Sequence, residues 1–385
     1  MSEMTAVNSV SNDKMMTRHY GRIWLKVILW IYALLVAVSV VGSGFKMVVG
    51  GNAAELFNFA NNAFLALIAG TLATALVQSS STVTSIIVGL VAGGLPVHMA
   101  IPMIMGANIG TTITNTVVSL GHMGCNKEFK RAFAASTIHD FFNYLAVLII
   151  LPLELMTGFL SKLSLSVAEM LIDTQDMSMN FNIVKFLTAP AEDIIKGFAN
   201  LLPDTTLGGL AMISFGIFLI FSAVVRLGKL LKKVMTGKAK NVLEKSIGRG
   251  PVSGIASGAA MTVMVQSSTT TTCLMVPMVG SGLFTVRQMY PVTLGANIGT
   301  TITAILAATA ISADAAMPAM TIALVHLFFN LFAVAFIYGI KPLREIPLYA
   351  ADKLADLAVK KKAYAFAYLA LAFFVVPALA ILVTK

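Results

Sequence analysis

The sequence predicts an all-α polytopic membrane fold made of two inverted-topology repeats, each with a re-entrant helical hairpin and a discontinuous helix. Three observations lead there. Of the 385 residues, 57% are hydrophobic and 11% charged, whereas soluble domains carry about 25% charged residues. The 71 residues from Leu56 to Asn126 contain no Asp, Glu, Lys or Arg, although one helical span needs only about 20 residues. Between Arg249 and Lys341 the only charges are Arg287 and Asp314, so the second half repeats that condition. Finally, three polar motifs recur in the same order. QSSST at Gln78, GANIGTT at Gly106 and His139 with Asn143 return as QSSTT at Gln266, GANIGTT at Gly295 and His326 with Asn330, at offsets of 188, 189 and 187 residues.

In chain order, Lys14, Arg18 and Arg22 make residues 1–22 a basic, cytoplasmic segment. The apolar run 23–49 is too long for a cleaved signal peptide and reads as the first transmembrane helix. Repeat 1 occupies 60–153. Its QSSST motif separates two apolar arms, the first of which, Phe64 to Val77, has only 14 residues. An arm that short cannot cross a bilayer, so residues 63–95 read as a re-entrant hairpin whose tip lines a cavity; one long kinked span is the alternative. A span over 98–122 follows, then basic Lys127, Lys130 and Arg131, then a further span. Residues 154–203 carry Glu154, Glu169, Asp173, Asp176, Glu192 and Asp193 against Lys162, Lys185 and Lys196, and the segment 154–206 reads as an external loop.

The transmembrane helix 207–232 then delivers Lys229, Lys232, Lys233, Lys238, Lys240, Lys245 and Arg249 to the cytoplasm. Repeat 2, 246–340, contains a hairpin over 251–283 that enters from that side. The last transmembrane helix, 364–383, follows a basic loop with Lys341, Arg344, Lys353 and Lys360 to Lys362. Charge bias and sequence repeat agree on inverted topology, the arrangement of secondary transporters with a midplane site. The net charge of +10 sits in short clusters beside apolar segments and does not indicate nucleic acid. Cys125 and Cys273 have no metal-ligand spacing and read as free thiols.

Gln78, Ser79, Ser80, Ser81 and Thr82 offer an amide and four hydroxyls where a helix begins. Helix N-termini present unpaired N–H groups and a positive dipole end, an environment that suits an oxyanion. Ser and Thr also pack and cap membrane helices, but two copies in inverted repeats favour a site. Asn108 and Thr111, with Asn297 and Thr300, lie in Gly-interrupted spans whose freed carbonyls suit a hard cation; close packing through the glycines is the other reading. His139 with Asn143, and His326 with Asn330, share a helix face and read as buried interhelical hydrogen-bond pairs. Asp140 is an acid inside a span, a functional suspect whose counterpart is Leu327. With no Arg or Lys from 56 to 126, an anion here meets dipoles and hydroxyls but little fixed positive charge. Bound cations would supply it, and the shortage of buried carboxylates favours sodium over protons.

The paired QSSS-type motifs, the GANIGTT segments and KEFKRAFAASTIHDFFNYL from Lys127 closely resemble the type II sodium/phosphate cotransporters over residues 60–340. The resemblance implies sodium-coupled import of inorganic phosphate by alternating access, with Na+ as coupling ion and no organic cofactor. It nominates Gln78, Ser79, Ser80, Ser81, Gln266, Ser267, Ser268 and Thr269, with Asn108 and Asn297, for phosphate. For sodium it nominates Gln266, Ser267, Thr300 and Thr303, with Gln78, Ser79, Thr111 and Thr114 as their repeat counterparts. Thr269 departs from the family's serine but keeps the hydroxyl. Animal members carry a large disulfide-bonded external loop; here that region is short and lacks cysteine, so a bacterial cytoplasmic membrane is the expected home, a homodimer the allowed assembly, and no regulatory domain is expected. Competing readings are a sodium- or proton-coupled carrier of another tetrahedral anion and a passive anion channel. An intramembrane hydrolase lacks a nucleophile-elbow motif, and no enzyme activity is expected.

Overall fold

The computed structural model describes the backbone over residues 2–49, 62–176, 183–246, 249–311 and 313–383. Side chains are described from Arg22 onward, except at 49–61, 173–185, 232–248, 312–314, 381 and 383–385. The basic residues Lys14, Arg18, Lys232, Lys233, Lys238, Lys240 and Lys245, which set the expected orientation, thus lie outside the described side chains, as do Asp173, Asp176, Lys185 and Asp314.

Among the described residues the structure is helical without strands. Helix α1 covers Ser2–Val49. The pair α2, Ala63–Val77, and α3, Ser80–Gly93, brackets the first QSSST motif. Helices α4, Val97–Gly110, and α5, Ile113–Leu120, come next, then α6, Asn126–Thr157. Helices α7, Phe159–Asp176, and α8, Ile183–Ala199, occupy most of the segment read as an external loop. Its acidic residues masked a helical pattern that exposes Phe186, Ile194 and Phe198 on the outer surface. Helix α9 runs Thr205–Ser246. The second pair, α10, Pro251–Val265, and α11, Ser268–Gly280, brackets QSSTT. Helix α12 is Val286–Thr309 and α13 is Ala313–Ala333, which continues through a π turn, Val334–Tyr338. Helix α14 is Lys341–Lys360. A last rod joins α15, Ala363–Ala370, through a π turn to α16, Val376–Val383.

Among the described residues, six helical stretches are long and apolar enough to cross a membrane: Arg22–Val48, Asn126–Thr157, Thr205–Leu231, Val286–Thr309, Ala315–Tyr338 and Ala363–Ala380. The chain is therefore a multi-pass membrane protein. The arms α2, α3 and α10 are shorter apolar helices below that length.

The two halves use one packing scheme. Each first arm lies along its own GANIGTT helix, α2 on α4 and α10 on α12. Each second arm packs on the opposite half, α3 against α12 and α13, α11 against α5 and α6. Glycine permits the first of these contacts. A Cβ on Gly106 would overlap the Leu67 carbonyl oxygen, and one on Gly295 the Ile255 carbonyl oxygen. Arg131 of α6 ties the halves together by donating two hydrogen bonds to Gly280 O at the end of α11, at 2.9 and 2.6 Å. The long α1–α9 pair flanks this core.

One expectation needs correction. The first GANIGTT segment ends α4 at Gly110 and breaks at Thr111 and Thr112 before α5. The second runs unbroken inside α12, so only one of the two expected discontinuous helices is discontinuous. The residues just after each motif account for the difference. In the first copy Asn115 accepts hydrogen bonds from Thr272 Oγ1 at 2.8 Å and Cys273 Sγ at 3.1 Å of α11. In the second copy the residues after Thr303 are Ala304, Ile305, Leu306, Ala307 and Ala308, good helix formers with no polar hook.

Candidate functional site

Each QSS motif makes the same turn. Gln78 and Gln266 close their first arms in left-handed backbone at φ 57° and 54°, the only non-glycine residues with positive φ among those described. Such conformations cost a residue bearing Cβ about 1–2 kcal/mol and concentrate at functional sites. The next residue reverts to extended backbone and caps the second arm: Ser79 Oγ accepts from Thr82 N, and Ser267 Oγ from Thr270 N. That leaves the N–H groups of Ser80 and Ser81, and of Ser268 and Thr269, without intrahelical acceptors. Two helix N-termini of this kind, each carrying a partial positive charge, come together.

Between them lies a cavity of about 260 Å³ lined by Gln78, Ser79, Ser80, Ser81, Gln266, Ser267, Ser268, Thr269 and Thr270. The remaining wall is Val224, Val225, Gly228 and Lys229, one face of α9. All eight motif residues nominated for the anion therefore meet around a single space. The reading from sequence missed the α9 wall, and with it a correction: the cavity has a fixed positive charge, Lys229, the only charged side chain among the described residues that line it. Lys229 had been visible only as part of a basic run, since nothing in its local pattern points toward motifs some 40 and 150 residues away.

The other nominated residues surround this cavity unevenly. Thr303 Oγ1 donates to Gln266 Oε1 at 3.0 Å, joining α12 to the second tip. Its counterpart Thr114 is not so joined: its Oγ1 is buried without a partner. Thr111 and Thr300 bond back to Ala107 O and Ala296 O, at 2.8 and 3.0 Å, within their own helices. Asn108 and Asn297 do not line the cavity. They belong to a buried network in which Asn143 donates to Asn108 O at 2.8 Å, Asn297 donates to Asn143 Oδ1 at 2.9 Å, and Asn297 Oδ1 pairs with His139 Nε2 at 2.7 Å.

That network links α6 to both GANIGTT segments, the interhelical role expected of His139 and Asn143, though the two do not bond each other. The second copy differs: neither ring nitrogen of His326 has a partner, and Asn330 only bonds back to His326 O. Asp140 is fully buried and accepts from Tyr368 Oη at 2.7 Å. Tyr368 comes from the last span, outside both repeats, and no periodicity in the sequence connects the two. Neither cysteine is in a disulfide.

Residues 33–170 and 209–340 match the Na+/Pi-cotransporter family. The chain is 32% identical to sodium-dependent phosphate transport protein 2B of Homo sapiens, covering 90% of this chain and 63% of that protein. It is 34% identical to protein 2B of Bos taurus, over 92% of this chain and 64% of the relative. It is 32% identical to protein 2A of Rattus norvegicus, over 91% and 66%. The chain thus spans a little under two thirds of these relatives' length. No solved structure matches it significantly.

Proposed function

The chain belongs to the Na+/Pi-cotransporter family, and from that premise we propose that it is a sodium-coupled secondary transporter importing inorganic phosphate by alternating access. One observation carries the reading: the two QSS tips, related by the sequence repeat, face each other across one cavity and aim two helix N-termini into it. Phosphate is held by Gln78, Ser79, Ser80 and Ser81 from one tip and Gln266, Ser267, Ser268 and Thr269 from the other. The free N–H groups and hydroxyls donate to its oxygens, and Lys229 on α9 adds a full charge. Asn108 and Asn297 contribute by fixing the two GANIGTT segments against α6.

Sodium is held by neutral oxygens, as suits a hard cation: Gln266, Ser267, Thr300 and Thr303 in one half, Gln78, Ser79, Thr111 and Thr114 in the other. The Thr303–Gln266 contact supports the first set. The ions reduce the cost of bringing an anion between low-dielectric walls, and this is the physical basis of coupling. The arms α2/α3 and α10/α11 are re-entrant hairpins of inverted repeats, entering from opposite faces with the N-terminus cytoplasmic, and alternating access moves the hairpins against the flanking helices.

The test is radiolabelled phosphate uptake into proteoliposomes under an inward sodium gradient, with choline replacement and Gln266→Ala as controls. Accumulation above equilibrium that needs sodium and is lost in the variant is the expected result. Equal uptake in choline would overturn sodium coupling in favour of a channel or another ion, and no phosphate uptake by folded protein would make another tetrahedral anion the substrate.

A further inference from the structure

A second, smaller cavity of about 200 Å³ shares no lining residue with the first. It is bounded by Pro251, Arg287, Tyr290, Tyr338, Arg344 and Leu348. Four elements meet there: the start of α10, the start of α12, the π turn after α13, and α14. The spans Val286–Thr309 and Ala315–Tyr338 begin and end here. Helix α14 carries Lys341, Arg344, Lys353 and Lys360 against Glu345, Asp352 and Asp356, the acids being paired with Arg287 and Lys130, and exposes Ile346, Tyr349 and Leu357, an amphipathic make-up that suits a headgroup layer.

Several groups converge on this space without a ligand from the protein. Tyr290 is fully buried, packs edge-on against Tyr338 at 5.3 Å between ring centres, and leaves its hydroxyl without a hydrogen bond. Arg344 lies over the Tyr338 ring at 5.2 Å, and its Nε is likewise buried and unbonded. Its nearest carboxylate oxygen, Glu345 Oε1, is 3.9 Å away and too far for a hydrogen bond. Glu345 is instead committed to Arg287 by two bonds of 2.7 and 2.6 Å. Helix α10 opens beside them with Gly250 as N-cap, so no side chain caps it, and Pro251 at its first position. A positive helix end, a guanidinium whose Nε is unbonded and whose nearest carboxylate, at 3.9 Å, is shared with Arg287, and a buried hydroxyl donor form a complementary set for a tetrahedral oxyanion. Buried polar groups left unpaired are uncommon in folded proteins and ask for a partner.

We infer that this cavity binds a phosphate group, held by Arg344, the Tyr290 hydroxyl and the N-terminus of α10, which clamps α14 to the second hairpin. The group comes from an anionic phospholipid headgroup or from free phosphate. The inference does not depend on the transport reading.

The test is thermal unfolding of the purified full chain in detergent, titrated separately with phosphatidylglycerol and with inorganic phosphate in choline buffer. Wild type, Tyr290→Phe and Arg344→Gln are compared, and each is repeated in a Gln266→Ala background to silence the larger cavity. Tyr290→Phe keeps the ring, so it serves as the variant that folds. The expected result is a rise in Tm with one probe, with its apparent Kd weakened about tenfold or more in both variants and unaffected by Gln266→Ala. A rise with the lipid alone assigns a headgroup, and one with phosphate alone assigns the free ion. No rise with either probe, or a rise that survives Tyr290→Phe and Arg344→Gln, overturns the site.

Discussion

Replacing Gln266 separates what its backbone costs from what its side chain does. At φ 54° the residue sits in left-handed backbone, which costs about 1–2 kcal/mol for any side chain with a Cβ. Glycine escapes that cost but loses about 0.5–1 kcal/mol more conformational freedom on folding than alanine. Gln266 Oε1 also accepts from Thr303 at 3.0 Å and its Nε2 donates to Val263 O at 2.8 Å, bonds worth about 1 kcal/mol net for the first and less for the second, which is exposed to water. Gln266→Ala keeps the strain and loses both bonds, so it should be about 1–2 kcal/mol less stable than wild type. Gln266→Gly loses the same two bonds but relieves the strain, and should stand about 0.5–1 kcal/mol above the alanine variant. Uptake should collapse in both, because each removes the amide from the cavity. The assay pairs denaturant unfolding in mixed micelles with proteoliposome uptake. An alanine variant as stable as the glycine one would refute the strain argument. Uptake retained by either would take Gln266 out of the site.

Three further outcomes rest on the same geometry. Lys229→Gln should raise the phosphate KM about fivefold, the effect of roughly 1 kcal/mol between an exposed ammonium and an anion; Vmax should change little, Lys229→Arg should restore affinity, and added salt should narrow the gap. Gly295→Ala and Gly106→Ala drive a methyl into the Ile255 and Leu67 carbonyls and should each destabilise by about 1–3 kcal/mol or more, measured as lost Tm, whereas Gly124→Ala, with open space around it, should stay within about 0.5 kcal/mol of wild type. The hydrogen bonds from Arg287 hold the Glu345 carboxyl below the usual carboxylate range, so its contribution to stability is present above about pH 4.3, its unfolded value, and is lost as pH falls through the lower folded one; below pH 4 the Tm of wild type should drop further than that of Glu345→Gln.

Much of this arrangement could be read from residues alone. The repeat was legible because three polar motifs stand out against apolar sequence, and at Gln78 and Gln266 an amide followed by hydroxyls also marks where one helix stops and another starts. What stayed hidden lies in elements without a repeat partner. Lys229 reaches the cavity because α9 packs across the second hairpin, and Tyr368 reaches Asp140 because the last span folds back onto α6. Both are long-range packing events, and hydrophobic periodicity carries no information about which apolar face meets which. The helices inside segment 154–206 stayed hidden for the opposite reason. Its charges dominated the reading, while the apolar residues between them, such as Leu160, Leu171, Phe186 and Ile194, belong to helices α7 and α8.

The two halves carry the same seven residues, GANIGTT, with a small difference in backbone: in one the helical hydrogen bonding lapses into a tighter turn at Thr111 and Thr112, whose dihedrals stay α-like, and in the other it is continuous through Thr300. The same pair of motifs is bonded tip to helix in one half, through Gln266 and Thr303, and leaves the Thr114 hydroxyl unpaired in the other. Identical residues adopting both arrangements within one fold means that the motif itself does not strongly prefer either; the flanking contacts, Asn115 to Thr272 on one side and the alanine-rich run on the other, select between them. A hydrogen bond or two is worth about 1 kcal/mol each, so the selecting energy is of the size that a bound ion can offset. In the proposed cycle, a cation that binds Thr114 and Gln78 supplies the contact which the first half lacks, and a site poised this close to balance can be moved from one state to the other by differential binding alone.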